Sequence, residues 1–144
     1  MIRPAAPADR PRLLAIWRDA VTATHAFLTP TQIDALEPEV RDWLATASDL
    51  MVSSEGQDVH GFIGMTGACV DALFVDPAVH GRGHGRALLA AVEARAPLVL
   101  DVNEANPAAV AFYERLGFVR TGRSPRDSAG RPFPVLHMRG PDPI

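Results

Sequence analysis

The chain has 144 residues and a formal net charge of −3, with 14 basic residues, all arginine, no lysine and a single cysteine, Cys69. That length suits one domain with a continuous core, and no apolar run approaches the ~20 residues that a membrane helix needs. Slight acidity leaves no electrostatic footprint for nucleic acid, and one cysteine excludes a disulfide framework or a cysteine-rich zinc site. Without lysine there is no Walker-type phosphate lysine, no pyridoxal phosphate Schiff base and no kinase-type strand lysine. The opening Met1-Ile2-Arg3-Pro4 lacks the layout of a secretory signal, so a cytoplasmic location is expected.

Taken in order, Ile2-Arg3 reads as a short strand, and Pro7-Ala8-Asp9 opens a helix whose apolar positions Leu13, Trp17, Ala20 and Val21 face a core. A second helical region follows Thr29-Pro30. Its apolar positions keep phase from Ile33 to Ala47 across Pro38, where a kink or restart is expected. Leu50–Ser53 and Val59–Met65 flank the turn-like Glu55-Gly56-Gln57-Asp58 and read as a hairpin. Ala68–Val75 is the next strand, entered through Gly67. A glycine-rich segment, His80-Gly81-Arg82-Gly83-His84-Gly85-Arg86, then leads into a helix running to about Ala96.

Leu98–Val102 reads as a short buried strand. With the helix before it, it makes a βαβ unit that places it parallel to 68–75. Asn106-Pro107 is a good helix cap followed by proline at the first helical position, and Leu116-Gly117 stops that helix. Phe118–Arg120 and Val135–Met138 complete the strands, separated by a polar, proline-rich segment. Residues 1–140 read as one domain, followed by a loose tail, 141–144.

The glycine segment carries the first chemical message. A turn that ends a strand and opens a helix gathers backbone N–H groups at the positive end of the helix dipole, which suits a phosphate. Arg82 and Arg86 add charge. The spacing G-x-G-x-G at residues 81, 83 and 85 is not the G-x-G-x-x-G of a dinucleotide site, and it follows a middle strand. His80 and His84 are separated by glycines and have no third ligand close in sequence, so no metal site is expected.

The strand and loop from Asp71 to Arg86, followed about 20 residues later by Asn106-Pro107-Ala108-Ala109-Val110-Ala111-Phe112-Tyr113-Glu114-Arg115-Leu116-Gly117-Phe118, resemble the two CoA-binding motifs of the GNAT superfamily of N-acetyltransferases. The similarity continues outward to Trp17, to Ala23-Thr24-His25 with Phe27-Leu28, to Asn103-Glu104 and to Thr121-Gly122-Arg123-Ser124, covering nearly the whole chain. The resemblance implies an α/β (α+β) GNAT-type fold: a central mixed, mostly antiparallel sheet of about six or seven strands with about four helices on both faces.

It further implies direct transfer of the acetyl group of acetyl-CoA to a primary amine through a ternary complex. The amine would be a protein lysine or N-terminus or a small molecule, with no metal, nucleic acid or membrane involved. By the same resemblance Leu73, Phe74 and Val75 bind the pantetheine arm. The loop residues His80, Gly81, Arg82, Gly83, His84, Gly85 and Arg86 grip the pyrophosphate, and Asn103 and Asn106 also hold the cofactor. Tyr113 donates a proton or hydrogen bond to the departing thiolate. The family usually has glutamine or arginine where this chain has His80, which implies weaker CoA binding or some pH dependence.

The base that deprotonates the amine stays open among His25, Asp71 and Asp76, and His137 is a candidate lining residue of the acceptor pocket. The acidic group Asp34, Glu37, Glu39 and Asp42 is a solvated face or an attractor of a cationic acceptor. Two other readings remain at this point: a non-catalytic acyl-CoA-binding sensor, and a nucleotide-binding α/β module. Monomer and homodimer are both compatible with the sequence.

Overall fold

The computed structural model describes residues 1–24 and 28–143, so the candidate base His25 and its neighbour Phe27 lie outside the described residues. The chain divides into two compact units, Met1–Met65 with Ala72–Val92, and Thr66–Asp71 with Glu93–Ile144. Among the described residues, no helix is long and apolar enough to cross a membrane.

In the first unit, strand β1 (Ile2–Pro4) precedes helices α1 (Arg10–Thr24) and α2 (Pro30–Thr46), then strands β2 (Leu50–Glu55) and β3 (Asp58–Thr66). The order β1-β2-β3-β4 is antiparallel at its first two joins, and β4 (Cys69–Val75) contributes its later residues here. Leu13 and Ile16 of α1, Leu44 of α2, Val52 of β2 and Phe62 of β3 form the heart of the core and are 2% exposed or less. Gly64 lets Trp43 close on the sheet, for a Cβ there would lie 2.4 Å from the Trp43 ring.

The entry to α2 is fixed by a capping box. Gln32 N–H donates to Thr29 Oγ1 and Thr29 N–H donates to the Gln32 side chain. Of the two outcomes expected at Pro38, a restart does not occur: α2 is continuous through it. Pro38 sits on the exposed side while Ile33 and Leu44 are buried, so packing and the cap outweigh the one missing N–H. The acidic group of α2 is partly structural, because Arg18 of α1 reaches Asp34 and Glu37, and Arg41 reaches Glu37. Helix α3 (His84–Ala91) completes this unit. It stops before the expected Ala96, and Glu93–Arg95 form a separate 3-10 turn.

The second unit has the order β4-β5-β7-β6, with β5 (Val99–Asn103), β6 (Val119–Ser124) and β7 (Val135–Arg139), and helix α4 (Pro107–Arg115). The expected parallel pairing is present and short, Cys69 to Val99 and Val70 to Leu100, while β5/β7 and β6/β7 are antiparallel. β5 is not wholly buried. Leu100 and Val102 point inward opposite Met138 and Leu136, whereas Val99 and Asp101 are exposed. The last domain residue is held, with Gly140 N–H donating to Leu98 O at 2.7 Å, and within the tail Asp142 accepts from Arg139. Seven strands and four α-helices among the described residues, in this mixed order, match the fold class expected above.

Candidate functional site

The loop after β4 is built from its entry onward. Arg12 donates to Val59 O and, at 2.7 Å, to Asp76 Oδ2, while Asp76 Oδ1 accepts the N–H of Ala78. The hydrogen bond from Arg12, with that of the Ala78 N–H, holds the Asp76 carboxyl below its usual range. Asp76 thereby anchors the entry of the loop. A single 3-10 turn, Pro77–Val79, leads to the exposed His80. Gly81 and Gly83 both have φ of +85°, which an L side chain rarely adopts, so these glycines set the path of the loop.

Gly83 is the N-cap of α3, and the first helical bond runs from Ala87 N–H to Gly83 O. The N–H groups of His84, Gly85 and Arg86 therefore have no intrahelical acceptor. Arg82 and Arg86 are exposed beside them and form no ion pair among the described residues. The His84 imidazole is not part of this cradle. It is buried at 8% exposure, with Nδ1 2.7 Å from Ser53 Oγ. Its backbone N–H alone points with those of Gly85 and Arg86 at the start of α3.

Leu73, Phe74 and Val75 are half-buried, with Phe74 packed at 5.7 Å from Phe62. A partly uncovered apolar strand can take a ligand along its length. Below it, α3 comes close because Gly61 has no side chain: a Cβ there would stand 3.0 Å from Phe74 O and 3.3 Å from Leu88 Cδ1.

In the second unit Asn106 caps α4 through Oδ1, which accepts Ala109 N–H, while its own N–H donates to Asn103 O. Asn106 and Tyr113 are both buried, as residues seven apart on one helix face should be. The Tyr113 ring lies between Phe112 at 5.3 Å and Phe118 at 5.5 Å. Burial raises the Tyr113 phenol well above its ordinary pKa, which favours its protonated form.

One polar row was only partly legible in the sequence. Asp101 and His137 are register partners on β5 and β7, with His137 Nδ1 2.5 Å from Asp101 Oδ1. On the other side of the ring, Ser124 Oγ of β6 is 2.7 Å from His137 Nε2. A carboxylate only accepts, so Nδ1 carries the proton toward Asp101, and the serine hydroxyl donates to Nε2. Asp71 follows Cys69 by two residues and so shares its face of the sheet, where its carboxylate accepts from Thr66 Oγ1. Desolvation first, then Asp71 and Asp101, pushes the Cys69 thiol up, which disfavours the thiolate. Glu104 is held by Arg123 across the same strands. Asn103 is half-buried at the end of β5.

Comparison with known proteins agrees with this geometry. Residues 18–139 match the family model described as "Acetyltransferase (GNAT) domain". The chain is 42% identical to the peptidyl-lysine N-acetyltransferase YjaB of Salmonella typhimurium, over 88% of each chain. It is 36% identical to the peptidyl-lysine N-acetyltransferase YiaC of Escherichia coli, over 82% of each. The solution structure of apo-form YjaB from Escherichia coli superposes with a TM-score of 0.90 at 40% identity, covering 97% of this chain and 96% of that one. The chain belongs to the GNAT family and is an N-acetyltransferase.

Proposed function

We propose that the enzyme transfers acetyl from acetyl-CoA to lysine side chains of proteins, by direct attack in a ternary complex, with residues 1–140 working as one catalytic domain. The observation that carries the reading is the pair of left-handed glycines, Gly81 and Gly83, delivering the chain into the start of α3. The N–H groups of His84, Gly85 and Arg86 and the guanidinium groups of Arg82 and Arg86 bind the pyrophosphate. The backbone of Leu73, Phe74 and Val75 aligns the pantetheine arm and polarises the acetyl carbonyl. Asn103 and Asn106 complete the cofactor contacts. The Asn106 amide nitrogen remains a donor, since Oδ1 already serves the helix cap.

A lysine amine near pKa ~10.4 arrives as an ammonium. Asp71 and Asp101 attract that cation. His137, oriented by Asp101, takes its proton at Nε2 through the Ser124 hydroxyl. The freed amine attacks the thioester carbon, and the tetrahedral oxyanion collapses as the second amine proton passes to the departing sulfur, which leaves along a hydrogen bond from Tyr113. Because burial strengthens the hold of Tyr113 on its proton, hydrogen bonding rather than full transfer is its contribution. Lysine as acceptor draws support from the names borne by YjaB and YiaC. A cytoplasmic location, where Cys69 stays a free thiol, belongs to the same reading.

The test follows thiol release from acetyl-CoA against three acceptor sets: lysine peptides with blocked N-termini, peptides with free N-termini and no lysine, and small-molecule amines. The first set should give the highest kcat/KM, with modified lysines identified by mass spectrometry. A higher kcat/KM for either other set overturns the lysine assignment.

A further inference from the structure

Three side chains of the first unit that acetyl transfer does not use converge beside the start of α3. One ligand atom from each of Glu55, His60 and His84 lies within 4.8 Å of the other two, the one such cluster among the described residues. His84 Nε2 is 3.3 Å from Glu55 Oε1. A tetrahedral metal with bonds of ~2.0–2.1 Å keeps its ligand atoms about 3.3–3.4 Å apart, so this edge already has the required length. The Glu55 side chain is exposed at the end of β2 and is free to adjust toward the ring of His60.

The second observation is independent of the spacing. His60 Nδ1 and His84 Nε2 are buried and have no hydrogen-bond partner; the 3.3 Å approach of Glu55 does not have hydrogen-bond alignment. Buried polar nitrogens are rarely left alone. The two rings are tilted by 53° with centroids 5.0 Å apart, so they are not stacked as a flat pair. Ser53, 3% exposed, sits 2.7 Å from His84 Nδ1. A ring whose Nδ1–H donates to a hydroxyl presents its Nε2 lone pair outward, which is how a ligating histidine is oriented by its neighbours.

The backbone is also arranged for it. The β2/β3 register passes from Ser53 opposite Gly61 to Ser54 opposite Val59, leaving His60 as the extra residue of a bulge. A bulge re-aims the side chain it carries. We infer that Glu55, His60 and His84 bind one divalent cation of the zinc class, with Ser53 as the positioning residue and a fourth place left for water. Two imidazoles and one carboxylate suit zinc, cobalt or nickel rather than calcium or magnesium. The inference does not rest on the acceptor or on the roles given to Tyr113 and His137.

The full chain, freed of metal with a chelator, would be titrated with Zn2+ by calorimetry and with Co2+ by visible absorption. One equivalent per chain is expected, with tetrahedral cobalt bands that zinc abolishes. Ser53→Ala should weaken binding by roughly 10–100-fold. His60→Ala and Glu55→Gln should each weaken it by about tenfold or more, whereas Cys69→Ala should retain the full stoichiometry. Far-ultraviolet dichroism accompanies each variant. Should His60→Ala fail to fold, Glu55→Gln decides, since its changed group lies in solvent. No saturable zinc binding at ~100 μM, or unchanged affinity in Glu55→Gln, overturns the site.

Discussion

His84 in the first unit and His137 in the second each stand 2.7 Å from a serine hydroxyl, yet their other nitrogens differ. In His137 the far nitrogen meets Asp101, so both edges are occupied and the tautomer is set by a carboxylate. In His84 the far nitrogen is buried and unpaired, facing His60 and Glu55. The ring closed on both sides fits the proton relay proposed for it. The ring left open is organised to receive a ligand. The same residue type beside the same partner therefore acquires two different chemistries from what the fold places on its second edge.

The sharpest way to break that contrast is at the closed ring. His137→Gln should lower kcat/KM by roughly 10²–10⁴-fold and abolish the acidic limb of the pH–rate profile, as loss of a general base does. A profile that keeps its limb would return the base to His25 or Asp71. Next in size, Tyr113→Phe should reduce kcat by about 10²-fold with little change in the KM for acetyl-CoA, because the phenol serves the departing thiolate. Equal loss in a poorer-folding variant would be recognised by a fall in melting temperature.

In the first unit the effects are those of packing and charge. Gly64→Ala should destabilise the chain by about 1–3 kcal/mol in urea unfolding, since its Cβ would stand 2.4 Å from the Trp43 ring. Arg86→Ala should raise the KM for acetyl-CoA about tenfold, with a weaker salt dependence than the parent, because one charge beside the α3 N-terminus is lost. An unchanged KM would remove Arg86 from the cofactor grip.

The smallest effects concern pH and stability. Asp9 and Asp76 are held below their ordinary range chiefly by hydrogen bonds from Arg3 and Arg12. Their folded pKa values are depressed, so their contribution is present above about pH 4 and is lost as pH falls through the folded values. Tyr113 is shifted the other way, so its contribution is full below about pH 10 and is lost as pH rises beyond it. Melting temperature should decline at both extremes. Asp76→Asn should flatten the acidic decline, and Tyr113→Phe the alkaline one.

Much of this was legible in the chain. Asn106-Pro107 and Leu116-Gly117 announced α4 because caps are local hydrogen-bond chemistry, read one turn at a time. The glycines at 81 and 83 announced the loop because a left-handed backbone demands them. Pro38 does not restart α2, because its missing hydrogen bond is a local cost that burial elsewhere along the helix outweighs. The limits of β5 and the end of α3 at Ala91 were misread, since the depth of a strand and the last turn of a helix depend on what packs against them.

The sequence by itself determined the order of elements, the glycine turn before α3 and the family, all of which reside in residues close together along the chain or in a fixed succession of motifs. Only the tertiary structure decided the partners of the histidines. Asp101, Ser124 and His137 come from three strands, and Ser53, Glu55, His60 and His84 from two strands and a helix. No periodicity connects such residues, because strand register, a single bulge and the docking of α3 set their distances. A ring nitrogen gains its role from whatever the fold brings within about 3 Å of it, and that is written in no single segment.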